Sequence, residues 1–155
     1  LENGDLYVTA LDADPVRLTT SGQVRDFAWA PDGARLAFCL RDEAELGRGL
    51  WTVGVPGGDE QQIVEGTGEI WAAAHPSWSP DGETIAFTHA WEGGALCFVG
   101  ADGSGLRADI TPAFGKLPWL ADSSGVFYDA AANEDGAPFL HLLTLLVPGS
   151  FGYPR

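Results

Sequence analysis

Nucleophilic catalysis needs a serine or cysteine with a base in reach and donors for the developing oxyanion, and few residues of this sequence begin to meet that need. Ser104 lies in Ala101-Asp-Gly-Ser-Gly105, which lacks the Gly-x-Ser-x-Gly spacing of a nucleophile elbow and reads as a hairpin turn. His75, His89 and His141 fall in three separate places without ligand spacing, so metal ligation through histidine is weakly supported. His75, directly before Pro76, is the histidine placed to face a central channel. Cys39 and Cys97 read as two buried thiols acting as small apolar residues, because disulfide geometry is demanding. Asp12-Ala-Asp14 and the stretch from Asp102 to Asp109 gather oxygen ligands on loops, yet neither has the alternating ligands and closing glutamate of an EF-hand. Asp42/Glu43 and Asp59/Glu60 lie in polar loops, whereas acid–base work needs a carboxyl held in a desolvated cleft. No phosphate loop, dinucleotide fingerprint or H-E-x-x-H motif is present. The expectation is a chain with no catalytic residues, no cofactor and no metal, and therefore no enzyme.

What the sequence does carry is a repeat. Three segments align: Phe27-Ala-Trp-Ala-Pro-Asp-Gly-Ala-Arg-Leu-Ala-Phe38, Pro76-Ser-Trp-Ser-Pro-Asp-Gly-Glu-Thr-Ile-Ala-Phe87 and Leu117-Pro-Trp-Leu-Ala-Asp-Ser-Ser-Gly-Val-Phe-Tyr128. Trp29, Trp78 and Trp119 stand 49 and then 41 residues apart, and Asp32, Asp81 and Asp122 keep the same steps. A second band follows each motif, at Leu50–Val55, Leu96–Ala101 and Leu140–Leu145, and also at Leu6–Leu11, which no motif precedes. A third, shorter band comprises Val16–Thr19, Gln62–Val64 and Arg107–Thr111. The sequence thus opens in the middle of a repeat.

Each unit predicts four strands. The first ends at the Trp, a Pro-Asp-Gly turn follows, the second is the Leu/Ile-Ala-Phe run, and the later bands supply the third and fourth. Pro presets φ at the turn entry, Asp bonds the amides that follow, and Gly33 or Gly82 accepts positive φ. The third motif has lost the Pro and displaced the Gly, so a longer turn is expected there. Four-stranded units at this period predict an all-β chain, a partial β-propeller of about three and a half four-stranded antiparallel blades. The divisions are residues 1–20 as a half blade, 21–66, 67–111 and 112–147 as blades, and 148–155 as a tail. Trp29, Trp78 and Trp119, with Phe38, Phe87 and Tyr128, are expected to pack between neighbouring sheets.

Trp78-Ser-Pro-Asp-Gly and Ile85-Ala-Phe87 resemble the repeat of TolB-like propellers, which is akin to repeats in the propeller domains of prolyl-oligopeptidase-type peptidases and of tricorn protease. The resemblance runs from Leu6 to about Leu145. It implies a periplasmic or otherwise extracytoplasmic binding scaffold, or the non-catalytic gate of a peptidase, and it supplies no catalytic residues. A sugar- or small-ligand-binding propeller with an axial pocket is a further alternative. Propellers of this kind have six or more blades, so an arc of three and a half would expose apolar terminal faces and the free edge of Leu6–Leu11. The expected partner is a protein, or a second copy, that completes or covers the open propeller.

Composition narrows the classes. The 155 residues are 45% hydrophobic and 19% charged, with 21 glycines and 10 prolines, as suits short strands joined by turns. Twenty-two acids against eight bases give a formal charge of −14, which repels phosphate backbones and argues against nucleic acid. The longest apolar run, Phe139 to Val147, is broken by His141 and Thr144 and falls short of the roughly 20 residues of a membrane helix. Leu1 offers neither an initiator Met nor a signal-peptide pattern, so a processed product, an excised domain or the ordered part of something longer is expected. The mixed-charge loop at 41–49 suits recognition at a propeller rim, and the aromatics of 148–155 suit an arm on a partner or a frayed tail.

Overall fold

The computed structural model describes residues 4–40, 49–66, 73–89, 95–109, 113–130 and 139–144. Most of the 41–49 loop and all of the 148–155 tail lie outside the described residues. The strands are β1 (Tyr7–Val8), β2 (Val16–Arg17), β3 (Val24–Trp29), β4 (Arg35–Leu40), β5 (Leu50–Gly54), β6 (Gln61–Val64), β7 (Ala73–Trp78), β8 (Thr84–His89), β9 (Ala95–Gly100), β10 (Arg107–Asp109), β11 (Ala113–Phe114), β12 (Gly125–Ala130) and β13 (Phe139–Thr144). They form four antiparallel sheets: β1-β2, β3-β4-β5-β6, β7-β8-β9-β10 and β11-β12-β13. Among the described residues there is no helix.

Each sheet is a meander, because every connection is a hairpin between sequence neighbours. The turn chemistry is repeated in detail. In the first motif the Gly33 amide donates to the Ala30 carbonyl at 3.0 Å and the Ala30 amide to the Arg35 carbonyl at 2.9 Å. Ser79, Gly82 and Thr84 reproduce this pattern at 2.9 Å for both bonds. The third motif departs from expectation, for its turn is no longer than the other two. Ser123 donates to Leu120 at 3.0 Å and Leu120 to Gly125 at 2.9 Å, and Ser123 takes the left-handed conformation at φ 61° that Gly33 and Gly82 adopt at 69° and 74°. A serine holds that conformation at some steric cost, so losing the glycine changed the strain of the turn and left its length unaltered. Asp32, Asp81 and Asp122 each accept, through Oδ1, the amide two residues on, at 2.9, 3.0 and 3.1 Å.

Strand alternation gives the two middle sheets two apolar faces, and three clusters bury the faces between successive sheets. Leu6 and Leu18 of the first pair meet Leu36, Phe38 and Val53 of the second sheet. On the opposite face, Ala37, Cys39 and Leu50 meet Trp78, Ile85 and Phe87 of the third sheet. Ala86, Leu96 and Phe98 then meet Leu117, Val126 and Tyr128 of the fourth. The sheets therefore stack face to face in chain order, the fanned arrangement of propeller blades. Cys39 and Cys97 are both buried free thiols of the middle cluster. Burial pushes the Cys97 thiol up to about 12 and raises Cys39 further still, so both stay protonated and unreactive at neutral pH.

Candidate functional site

The innermost strands of adjacent blades touch directly. The Trp119 indole N–H donates to the Ser77 carbonyl at 3.1 Å, and the His75 amide donates to Asp26 Oδ2 at 3.0 Å. His75 sits at a break in the β7/β8 register between Ala74 and Ser77, with φ at 51°, an uncommon backbone for a non-glycine residue. Its Nδ1 lies 3.0 Å from Thr88 Oγ1. The bulge and the Asp26 carboxylate thus fasten two inner strands together. Residue spacing alone does not disclose that link, because it joins positions 49 apart.

The motif tryptophans occupy three different environments. Trp78 is 7% exposed within the cluster formed with the preceding blade, and the Arg35 guanidinium lies 4.9 Å from its ring centroid. Trp119 is half-buried and meets Phe98 edge-on at 6.0 Å. Trp29, by contrast, is 46% exposed, and Phe27 two residues before it is 43% exposed. This corrects the expectation that all three indoles pack between sheets. The cause is the first sheet. β1 and β2 match the third and fourth strands of a blade, and they cover Leu36, Phe38 and Val53 on the outer part of the blade face. Trp78 belongs instead to a cluster with Ala28, Ala37, Cys39 and Leu50 from the first three strands of the blade before it, and Trp119 packs against a cluster with Ala86, Leu96 and Phe98 from the second and third. Among the described residues the β1-β2 pair has no such inner strands, and Phe27 and Trp29 remain as an exposed apolar ledge.

The other singled-out residues have structural places. Ser104 lies in a turn, its amide donating to Asp102 Oδ1 at 2.9 Å and its carbonyl accepting from the Gly100 amide at 2.8 Å. Asp12 takes a left-handed turn conformation at φ 62°. His89 is buried, and the side chain of His141 lies outside the described residues. Among the described residues no three His, Cys, Asp or Glu side chains gather as metal ligands would, and no helix is long and apolar enough to cross a membrane.

Asp5 is a polar centre that the sequence reading did not single out. Its buried carboxylate accepts the Gly22 amide at 2.8 Å and the Thr19 hydroxyl at 3.1 Å, and it pairs with the Arg17 guanidinium. Burial alone would raise this carboxyl, but the Gly22, Arg17 and Thr19 hydrogen bonds and the Arg17 charge outweigh it and hold the group below its ordinary value. The signal in the sequence was slight: one Asp before Leu-Tyr-Val, where the equivalent positions are Gly49 and Ala95.

No protein-family model matches the chain. Its sequence is similar to dipeptidyl-peptidase 5 of Porphyromonas gingivalis, 27% identical over 127 residues, covering 72% of this chain and 18% of that protein. In structure it is similar to TolB of Acinetobacter baumannii, with a TM-score of 0.69, 18% identity, and coverage of 95% of this chain and 38% of that one. It is also similar to the β-propeller domain of the Trilobed protease of Pyrococcus furiosus, with a TM-score of 0.59, 18% identity, and coverage of 79% and 39%. The chain therefore spans less than two fifths of the length of each. Stacked antiparallel meanders, the repeated turn and these likenesses together establish that the fold is that of a TolB-like β-propeller, present here as an arc of blades.

Proposed function

We propose that this chain is a non-catalytic protein-binding module, an open propeller arc that serves as an accessory part of a larger extracytoplasmic assembly. The observation that carries this reading is the ledge of Phe27 and Trp29. Two large apolar side chains stand open on a blade face whose counterparts Pro76, Trp78 and Leu117 are buried by protein, and neighbouring exposed apolar groups mark interaction surfaces. A further support is that Asp32, Asp81, Asp102 and Asp122 close turns, and that Asp5 and Asp26 fasten segments together. The formal charge of −14 suits a partner with a basic rim around an apolar centre.

The likeness to dipeptidyl-peptidase 5 favours a second reading. In it the arc is a stretch of a peptidase's propeller domain, which screens substrates for catalytic residues located elsewhere. Both readings give the blades a binding role and no chemistry.

A photo-crosslinking residue placed at position 29 of the full chain in its native host tests the proposal. One polypeptide other than this chain should be captured, with a crosslinker at exposed Leu11 capturing far less of it. Equal yields at the two positions would count against a docking face at Trp29. Capture of a hydrolase domain encoded in the same reading frame would establish the second reading over the first.

A further inference from the structure

We propose that Asp32–Gly33 is a covalent modification site: of the three Asp–Gly turns among the described residues, it is the one at which the folded chain forms a succinimide and then isoaspartate. The proposal is independent of the protein-binding reading above.

The chemistry is intrinsic to the pair. The Gly nitrogen loses its proton and attacks the Asp Cγ, so that a C–N bond forms, a C–O bond breaks and water leaves. Hydrolysis of the ring takes water back at either carbonyl. One product is the original aspartate, and the other runs the main chain through Cβ and leaves the α-carboxylate as the side group. Nothing is oxidised or reduced, and water is the only co-reactant. Glycine favours the step because no side chain crowds its nitrogen. The sequence has such pairs at Asp32, Asp81, Asp102 and Asp135, of which Asp135–Gly136 lies outside the described residues. Residue type does not separate the other three, and Asp32 and Asp81 even share Pro-Asp-Gly.

Hydrogen bonding does separate them. In all three turns the glycine has positive φ, at 69°, 74° and 88°, and its amide donates to the carbonyl three residues back, at 3.0, 2.9 and 2.8 Å. Attack requires this amide and the carboxylate to leave their partners, so each further bond on the turn slows the reaction. Asp81 Oδ1 accepts the Ser79 hydroxyl as well as the Glu83 amide, and the Asp81 amide donates to Ser123 Oγ of the next blade at 3.1 Å. Asp102 accepts the Ser104 amide at 2.9 Å and the Ser104 hydroxyl. These bonds hold both carboxyls below their ordinary value, in the ionised form that is slow to expel water. Asp32 Oδ1 accepts the Ala34 amide at 2.9 Å, and the position of Ser79 is taken by Ala30, which has no hydroxyl to give.

The surroundings of the glycines point the same way. A side-chain carbon on Gly82 would lie 3.4 Å from Pro31 Cγ, and one on Gly103 would lie 3.2 Å from the Ile63 carbonyl oxygen. Both turns are thus wedged against the blade before them. At Gly33 the same carbon would meet nothing within 4 Å among the described residues. The ring can close at Asp32 without displacing another segment. Isoaspartate there adds a backbone carbon to the turn that joins Trp29 of β3 to Arg35 of β4.

The test ages the full chain in mildly acidic buffer, folded and in parallel in denaturant. Isoaspartate is measured at each position by peptide mapping with electron-transfer fragmentation, which tells the two linkages apart. Asn3–Gly4, whose deamidation changes its mass, and Asp135–Gly136 are scored separately. In denaturant the yields at positions 32, 81 and 102 should agree within about twofold, whereas in the folded chain position 32 should lead both others at least fivefold. Ala30→Ser, which supplies the hydroxyl that Ser79 gives Asp81, should lower the yield at 32 at least threefold. Ser79→Ala should raise the yield at 81 by a similar factor. Equal folded yields, or a folded yield highest at 81 or 102, overturn the proposal. A lead for position 32 that is as large in denaturant also overturns it, by tracing the preference to local sequence. Unchanged yields in both folded variants do the same, and if either variant fails to fold, the folded-against-denatured comparison of the native chain decides.

Discussion

Asp5 shows how a single side chain holds the half blade to the body of the arc. Its carboxylate gathers Arg17, Thr19 and Gly22, and Thr19 Oγ1 in turn accepts the Leu6 amide at 2.9 Å. Replacing it by alanine leaves buried donors without their acceptor, so Asp5→Ala should cost roughly 2–3 kcal/mol in chemical denaturation. The pH dependence has a definite sign. Because the folded carboxyl lies below its unfolded value of about 3.9, its contribution is complete above that pH and is lost as pH falls through the lowered folded value. The acid limb of the stability curve should therefore flatten in Asp5→Ala as pH falls below about 4, and an unchanged limb would show that other carboxylates govern it. Asp81 is also lowered, chiefly by its Ser79 hydrogen bond, so part of the acid limb remains in the variant. At this scale the sequence disclosed the turn aspartates, because Pro-Asp-Gly is local chemistry. It did not disclose Asp5 or Asp26, whose partners Gly22 and His75 are brought to them only by the fold.

Strands tell a similar story through burial. The Leu-Ala-Phe and Ile-Ala-Phe runs were legible as second strands since both faces of a blade are apolar and β4 and β8 are buried nearly throughout. The repeat also located the tryptophans, but similarity of sequence could not establish similarity of surroundings. Whether an indole is buried depends on the strands ahead of it, and Trp29 has only a half blade there. This contrast is measurable. Trp78→Ala should destabilise the chain by about 3–5 kcal/mol, as loss of a buried aromatic does, while Trp29→Ala should change it by less than about 1 kcal/mol. Paired urea titrations decide the matter, and equal losses would mean that Trp29 is covered in the isolated chain. Ser123 carries the related lesson for turns: a missing glycine was read as a longer loop, yet the hydrogen bonds kept their spacing and the serine accepted φ 61°.

For the molecule as a whole, the account is of an arc whose successive blades bury one another, and whose first complete blade leaves Phe27 and Trp29 exposed on its inner strand. Repeat arrays expose such faces at their ends and need a cap or a neighbour. The all-β class and the fanned order of sheets were readable from the period of the motif, and the likeness to TolB agrees with them. What binds was not readable, because repeat positions specify packing whereas recognition depends on whatever covers the exceptions. The most direct test is binding of a fluorescent apolar-surface dye to the purified chain, alone and as the Phe27→Ser/Trp29→Ser double variant, with light scattering to record mass. The account predicts dye binding by the native chain and loss of most of that signal in the folded double variant. A native chain that runs as a monomer and binds no dye, or a double variant that binds as much as the native chain, would contradict it.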